Sequence, residues 1–339
     1  MDPVTQGAVG VAAGRLVARP ADNWLAAAVG LIAGMAADID VLIRSTSDPL
    51  LALEYHRHFT HSLIFIPFGA LFTALLLRAI FRPLRERTTF FRTWFFATAG
   101  YATHAVLDAC TTYGTQLFWP LNDLRVAWNI ISVIDPLFTL PLIVLLVIAL
   151  FKNSKIIVAL ASTYALCYLF LGFLQNQKAT KAALQLADSR GHQPIGLSVK
   201  PSFANIIVWK SVYEHDDRFY VDAVRVFGGT TVIQGDSIEK LDIDRHFPWL
   251  DTTSQQAKDV ERFRWFSNGH VGIDPADAHR IIDIRYSMLP QEIAGLWGIV
   301  LDPEADKHQH IIYNTERGEP DEVRAKTAVL WNMIVGDYE

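Results

Sequence analysis

Long apolar runs crowd the first half of the chain and are absent from the second. Crossing the hydrocarbon core of a bilayer takes about 20 mostly apolar residues. Ser62–Phe81, Trp94–Cys110, Ile134–Phe151 and Ile156–Leu174 meet or approach that standard. Trp24–Ala37 is apolar but shorter, and Val4–Ala18 is rich in small residues and ends at Arg15 and Arg19; these two read as a packed hairpin or as partial spans. One such run could be a buried core helix, but four in close succession predict a multi-pass membrane domain. The link after Phe81 holds Arg82, Arg85, Arg87 and Arg92, with Arg78 just before it, and the link between the last two runs holds Lys152 and Lys155. The positive-inside bias places both links in the cytoplasm. Segments 38–61 and 111–133, and everything after Leu174, are then expected outside.

Beyond the last run the pattern changes. Ala179–Ala187 fits a short polar helix and Gly191–Pro194 a linker. Ile206–Trp209, Phe219–Phe227, Thr230–Ile233, Arg280–Tyr286, Gly298–Leu301 and His310–Tyr313 alternate apolar and polar residues, separated by turn signals such as Asp216-Asp217 and Gly228-Gly229. Lys258–Trp265 and Glu322–Val335 fit helices. The predicted fold is mixed: an α-helical integral membrane domain of about four full spans plus short N-terminal helices, then a small α+β soluble domain. The expected boundaries are 1–175 for the membrane domain with its metal site, 176–194 for a linker helix and linker, and 195–339 for an extracytoplasmic α+β domain.

Composition narrows the functions. A net charge of −5 over 339 residues gives no basic stripe for nucleic acid. Cys110 and Cys167 lie in apolar segments and form no CxxC pair, so neither a disulfide framework nor a thiolate metal site is expected. Met1-Asp2-Pro3 lacks the basic start of a cleaved signal peptide, so insertion is expected to be driven by the spans themselves.

Four of the eleven histidines, His56, His58, His61 and His104, lie in the membrane half, together with Asp38, Asp40 and Asp108. Ionisable groups at membrane depth are costly and default to a functional reading. His104 and Asp108 are four apart on a predicted helix and share a face. They could share a metal ion, the carboxylate could orient the imidazole, or the pair could be a buried hydrogen bond joining two helices. Asp38 and Asp40 would lie on one side of an extended chain, or be solvated ends of a span. His56-Arg57-His58-Phe59-Thr60-His61-Ser62 packs three histidines and an arginine at the outer end of the first long run, where an interfacial cap is the plainer alternative. All three motifs converge on the outer face. Imidazole and carboxylate together suit zinc, with manganese, iron and magnesium as alternatives. Arg57 could hold an anionic group through its planar fork. Asp135 could join the site or cap the helix that follows it, and Thr111–Gly114 could line a pocket or simply end a helix.

Met1-Asp2-Pro3-Val4-Thr5, Ala37-Asp38-Ile39-Asp40, His56-Arg57-x-x-Thr60-His61-Ser62 and His104-x-x-Leu107-Asp108 resemble the bacterial inner-membrane, metal-dependent hydrolase family (YdjM-like), also described as LexA-binding, inner-membrane-associated hydrolases. Thr112-Tyr113-Gly114, Trp119-Pro120 and Ile134-Asp135-Pro136 extend the resemblance, which covers about residues 1–150. It implies metal binding through the His and Asp motifs and a hydrolase activity. The His-x-x-x-Asp pair is similar to that of zinc phospholipase C and the P1-type nucleases, which points to phosphoester hydrolysis. Family members often carry histidine where this chain has Gln6, and glycine is common at His58, so both positions bear on the ligand set.

Residues and resemblance together predict a membrane-bound hydrolase that uses metal-activated water on a phosphoester in a lipid or lipid-linked substrate. The expected metal ligands are Asp38, Asp40, His56, His61, His104 and Asp108. Arg57 is expected to stabilise developing charge, with Thr60 and Ser62 in support. Membrane lipids are the expected partners. A metal-stabilised anchor presenting the C-terminal domain to a protein partner is the non-enzymatic alternative. Transport ranks last, because the inner halves of the runs are apolar.

Overall fold

The computed structural model describes residues 1–316 and 318–337. The chain forms two compact units: Met1–Ile43, Tyr55–Leu174 and Phe203–Asn205 make the first, and Arg44–Glu54, Gln175–Ser202 and Ile206–Glu339 the second.

In the first unit, α1 (Pro3–Val17) starts at Asp2, whose carboxylate accepts the Thr5 N–H at 3.0 Å, and Pro3 opens the first turn. α2 (Asn23–Met35) packs on α1 through glycines. A methyl group on Gly10 would lie 2.2 Å from the carbonyl oxygen of Gly30, and one on Gly14 2.5 Å from that of Ala26. Leu51–Tyr55 (α3) precedes α4 (Ile66–Ile80), α5 (Arg82–Arg87) and the 21-residue α6 (Phe90–Cys110). Gly100 of α6 also faces Gly30, where a methyl group would meet its carbonyl oxygen at 2.7 Å. Three helices therefore meet backbone to backbone. Their small residues supply no bulk of their own, which leaves room for polar side chains just beyond. α7 (Pro136–Phe151) is capped by Asp135, which accepts the Phe138 N–H at 3.2 Å, and α8 (Lys155–Ser189) runs for 35 residues.

Among the described residues three helical stretches are long and apolar enough to cross a membrane: Pro20–Leu42, Leu63–Ile80 and Lys155–Ser189. Four full spans were expected, and the difference has two causes. α6 carries buried Thr93, Tyr101, His104 and Asp108 and is too polar to count, while α7 is apolar but only 16 residues long. Conversely, Trp24–Ala37, expected to form part of a packed hairpin or a partial span, lies within one of the three long stretches. It lengthens because Pro20–Asp22 and Ala36–Leu42 extend α2 at both ends as 3₁₀ turns. The short polar helix expected over 179–187 is the continuation of α8 without a break.

The second unit holds two four-stranded antiparallel sheets. The first consists of β1 (Ile195–Pro201), β2 (Val208–His215), β3 (Arg218–Arg225) and β4 (Thr231–Glu239) in that order. After α9 (Ile243–His246) and α10 (Gln255–Phe266) comes the second sheet: β5 (Val271–Asp274), β6 (Asp277–Asp283), β7 (Trp297–Val300) and β8 (Ile312–Thr315). Asp216 and Asp217 both take positive φ, 47° and 55°, and close the β2–β3 hairpin. Val212, Phe219 and Val221 of the first sheet share a core with Ile282 and Ile284 at the second. Leu330 and Met333 of α11 (Pro320–Val335) pack on Val208 and Ala223. β1 and β5 were not expected from the sequence. β1 carries Gly196 at positive φ and β5 is only four residues long, so neither shows a clean alternation.

Buried charge organises this unit. Arg190, just past α8, grips the fully buried Asp222 with two hydrogen bonds of 2.7 and 2.8 Å. Arg262 of α10 holds both oxygens of Asp48, at 2.8 and 3.0 Å, and Glu54 at 2.5 Å. Lys210 is buried in β2 and donates to Ser287 Oγ and the Glu292 carbonyl, and burial pushes its ammonium down to about 7. The unfolded lysine keeps its proton up to about 10.5, so between these values the unfolded state binds more protons and stability rises with pH. Lys210→Met is expected to flatten the rise of the melting temperature from pH 7 to 10, measured by fluorescence on the detergent-solubilised protein. An unchanged slope would mean that Lys210 is not the group responsible.

Candidate metal centre

The Ala36–Leu42 turns carry Asp38 and Asp40. An extended chain would put them on one side; in 3₁₀ geometry they diverge and reach the same centre from different directions. Asp38 meets two histidines directly. Its Oδ1 lies 3.5 Å from His61 Nε2 and 3.4 Å from His104 Nε2. Asp108 Oδ2 lies 3.2 and 3.5 Å from the same two nitrogens, which are themselves 2.9 Å apart. One ligand atom from each of the four residues lies within 4.8 Å of all the others.

The other ring nitrogens show how the histidines are held. His104 Nδ1 is 2.6 Å from the Gly34 carbonyl oxygen, which can only accept, so Nδ1 carries the proton. His61 Nδ1 lies 3.2 Å from Asp40 Oδ2. With both protons on Nδ1, the two Nε2 lone pairs face one another and two carboxylate oxygens across 2.9–3.5 Å. Four electron-rich atoms at that range repel unless a cation lies among them. Asp108 Oδ2 is buried and accepts no hydrogen bond. Tetrahedral zinc, with ligands about 2.0–2.1 Å away, has ligand–ligand edges of about 3.3 Å. The residues fit such an ion.

Asp40 stands behind this quartet. Its Oδ2 accepts the Arg57 N–H at 3.0 Å and the Thr60 hydroxyl at 2.8 Å, and Oδ1 lies 3.0 Å from His56 Nδ1. Arg57 adopts a positive φ of 64°, uncommon for a side chain of its size, and its backbone N–H is aimed at Asp40. Its guanidinium is buried. It donates to Thr111 Oγ1 at 2.8 Å, approaches Asp108 Oδ2 at 3.2 Å and stacks 5.0 Å over the Tyr113 ring. Ser62 spends its hydroxyl on the Phe59 carbonyl at 2.8 Å and closes that turn. His58 packs among the rings of Tyr55, Phe59 and Trp119 and belongs to neither group of residues able to hold a metal.

Gln6 touches the centre: its amide donates to Asp108 Oδ1 at 2.9 Å, and its own Oε1 is buried without a hydrogen-bond partner. The Met1 nitrogen also contacts Asp108. Two contributors, Gly34 and Tyr101, are not visible as site residues in the sequence. Gly34 acts through a carbonyl, which no side-chain motif reveals. Tyr101 donates to the Thr60 carbonyl at 2.8 Å, and Gly69 leaves room for its ring. Thr111, expected to line a pocket or end a helix, accepts from the Arg57 guanidinium at 2.8 Å. Tyr101 sits three residues before His104 on the same helix face, the one signal that could have flagged it. Asp135 caps α7 and accepts from the Tyr168 hydroxyl at 2.9 Å, and it is absent from both metal-ligand groups.

Apolar helices around a buried His/Asp group able to hold a metal ion define a class of membrane protein. The sequence model of the YdjM inner membrane protein family matches residues 1–179, and the chain belongs to that family. It is similar to the inner membrane protein YbcI of Escherichia coli (strain K12), with 33% identity over 108 residues, 31% of this chain and 60% of that relative's length. No solved structure matches the chain.

Proposed function

We propose that the protein is a membrane-bound, metal-dependent hydrolase of a phosphoester in a lipid or lipid-linked substrate. The observation that carries this reading is the Asp38–His61–His104–Asp108 quartet, whose two imidazole Nε2 atoms lie 2.9–3.5 Å from one another and from two carboxylate oxygens. Zinc suits this donor set best, with manganese, iron or magnesium as substitutes. Such an ion would supply a Lewis acid that makes water nucleophilic near neutral pH. The chain's own groups do the rest. Asp40 and the Gly34 carbonyl fix the two rings, and Thr60 fixes Asp40. Arg57 offers a buried positive charge to phosphoryl oxygens. Asp38 has 21% of its side chain exposed where both histidines have none, which makes it the side from which substrate reaches the centre. If the chain crosses four times, the arginine-rich link at 82–92 lies in the cytoplasm and the centre and the 195–339 domain lie on the extracytoplasmic face of the inner membrane.

A second reading draws on the same quartet. Four protein ligands with no open position are the mark of structural zinc, which would make residues 1–175 a metal-stabilised anchor presenting the C-terminal domain to a protein partner. The test is purified full-length protein in detergent, assayed with a chromogenic phosphodiester and with phosphatidic acid vesicles, with and without chelator. Chelator-sensitive turnover that falls at least ~100-fold in His61→Ala is the expected result. Bound metal without turnover, together with unfolding on chelation, would favour the anchor instead.

A further inference from the structure

Asp38 belongs to two groups of metal-ligating atoms. Besides the quartet, one ligand atom each from Asp38, Asp40 and His56 lie within 4.8 Å of one another. We infer that the centre holds two cations, the second on Asp38, Asp40 and His56, with the Asp38 carboxylate shared between them. This rests on reading the quartet as a metal site.

The division of labour within Asp40 supports it. Oδ2 is saturated by the Arg57 N–H and the Thr60 hydroxyl, with His61 Nδ1 alongside. Oδ1 is left to His56 Nδ1 alone, 3.0 Å away, a separation that is also an ordinary ligand–ligand edge. Asp38 uses Oδ1 toward the two histidines of the quartet, and a carboxylate has a second oxygen to offer elsewhere. The His56 ring stands edge-on to His61, with centroids 6.0 Å apart, so the two positions are adjacent. They differ in access. His61 and His104 have no exposed side-chain surface, whereas His56 has 27%; Asp38, at 21%, is common to both positions, and Asp40 is buried. The inner ion is therefore enclosed and slow to exchange, and the outer one is open to water and to an incoming ligand. Two cations bridged by one carboxylate suit an anionic, bidentate group such as a phosphoester, one oxygen to each ion.

Metal stoichiometry decides the matter. Full-length protein in detergent, stripped and dialysed against excess Zn²⁺, should hold two ions per chain by elemental analysis, and a mild chelator should remove one. His56→Ala should hold one tightly bound ion. Loading with Mn²⁺ gives a check that needs no variant, because two ions sharing a carboxylate give an exchange-coupled resonance spectrum. One ion per chain in the unaltered protein with an uncoupled Mn²⁺ spectrum, or two retained ions in His56→Ala, would overturn the inference and leave the quartet intact. No bound ion at all would remove the metal reading itself.

Discussion

Asp108→Asn is expected to empty the metal centre and to destabilise the membrane unit in one step. Asparagine keeps the shape and can still accept from Gln6, so the loss would be one of charge. Two consequences follow from that charge. His61 and His104 lose the anionic oxygen that faces both Nε2 atoms at 3.2 and 3.5 Å, and metal affinity should fall well beyond the ~10–100-fold that a supporting residue costs. Arg57 also loses the carboxylate 3.2 Å from its Nε while its guanidinium stays buried. A buried charge stripped of its partner costs about 3–5 kcal/mol. Elemental analysis and thermal melting of the detergent-solubilised protein read the two effects separately. Asp135→Asn is the control: it is equally buried in the same unit, asparagine can still cap α7, and metal content should stay unchanged. Equal metal loss in both variants would show that the effect is general unfolding and not ligation.

Gly30→Leu should be nearly as damaging although no part of Gly30 touches the centre. Even the first carbon of a side chain would lie 2.3 Å from the Gly10 carbonyl oxygen and 3.4 Å from Gly14 Cα, and α6 closes on the same spot through Gly100. Backbone cannot give way as a flexible side chain can, so α2 must move outward. Overpacking of this kind costs about 1–3 kcal/mol and occasionally more. One turn further along α2 is Gly34, whose carbonyl fixes His104, so metal affinity should fall along with the melting temperature. Gly7→Ala offers the contrast on the same helix pair. Its added methyl meets the ends of the Leu31 and Met35 side chains, which can rotate aside. A Gly30→Leu protein with unaltered melting and metal content would show that the helix contact does not set the site.

The sequence reveals most where one side chain does one job. His61, His104 and Asp108 stand out as ionisable groups within or beside apolar helices, and Asp38 and Asp40 as a pair at the end of one. Their separate roles were hidden. Asp38 completes the quartet while Asp40 backs His61, because 3₁₀ turns rotate alternate residues apart, and hydropathy does not distinguish those turns from an extended chain. Span limits were obscured for a related reason. α6 carries the centre's polar groups on its buried face, so the helix that matters most to the site is too polar to register as a span. In the second unit, the hairpin at Asp216-Asp217 could be read from its turn residues, but the short β5 had nothing comparable to announce it.

The clamp of Arg262 on Asp48 and Glu54 has a consequence for the order of events during synthesis. The Arg44–Glu54 stretch belongs to the second unit, although the residues on either side of it, through Asp40 and from His56, build the metal centre of the first. Arg262 follows its two partners by 214 and 208 residues. At about 5–20 residues per second, a ribosome needs roughly 10–40 seconds to cover that distance. The early helices are thus made while the stretch joining two parts of the centre is still waiting for its clamp. A chain released before position 262 would carry every metal ligand and still leave that connection unpinned.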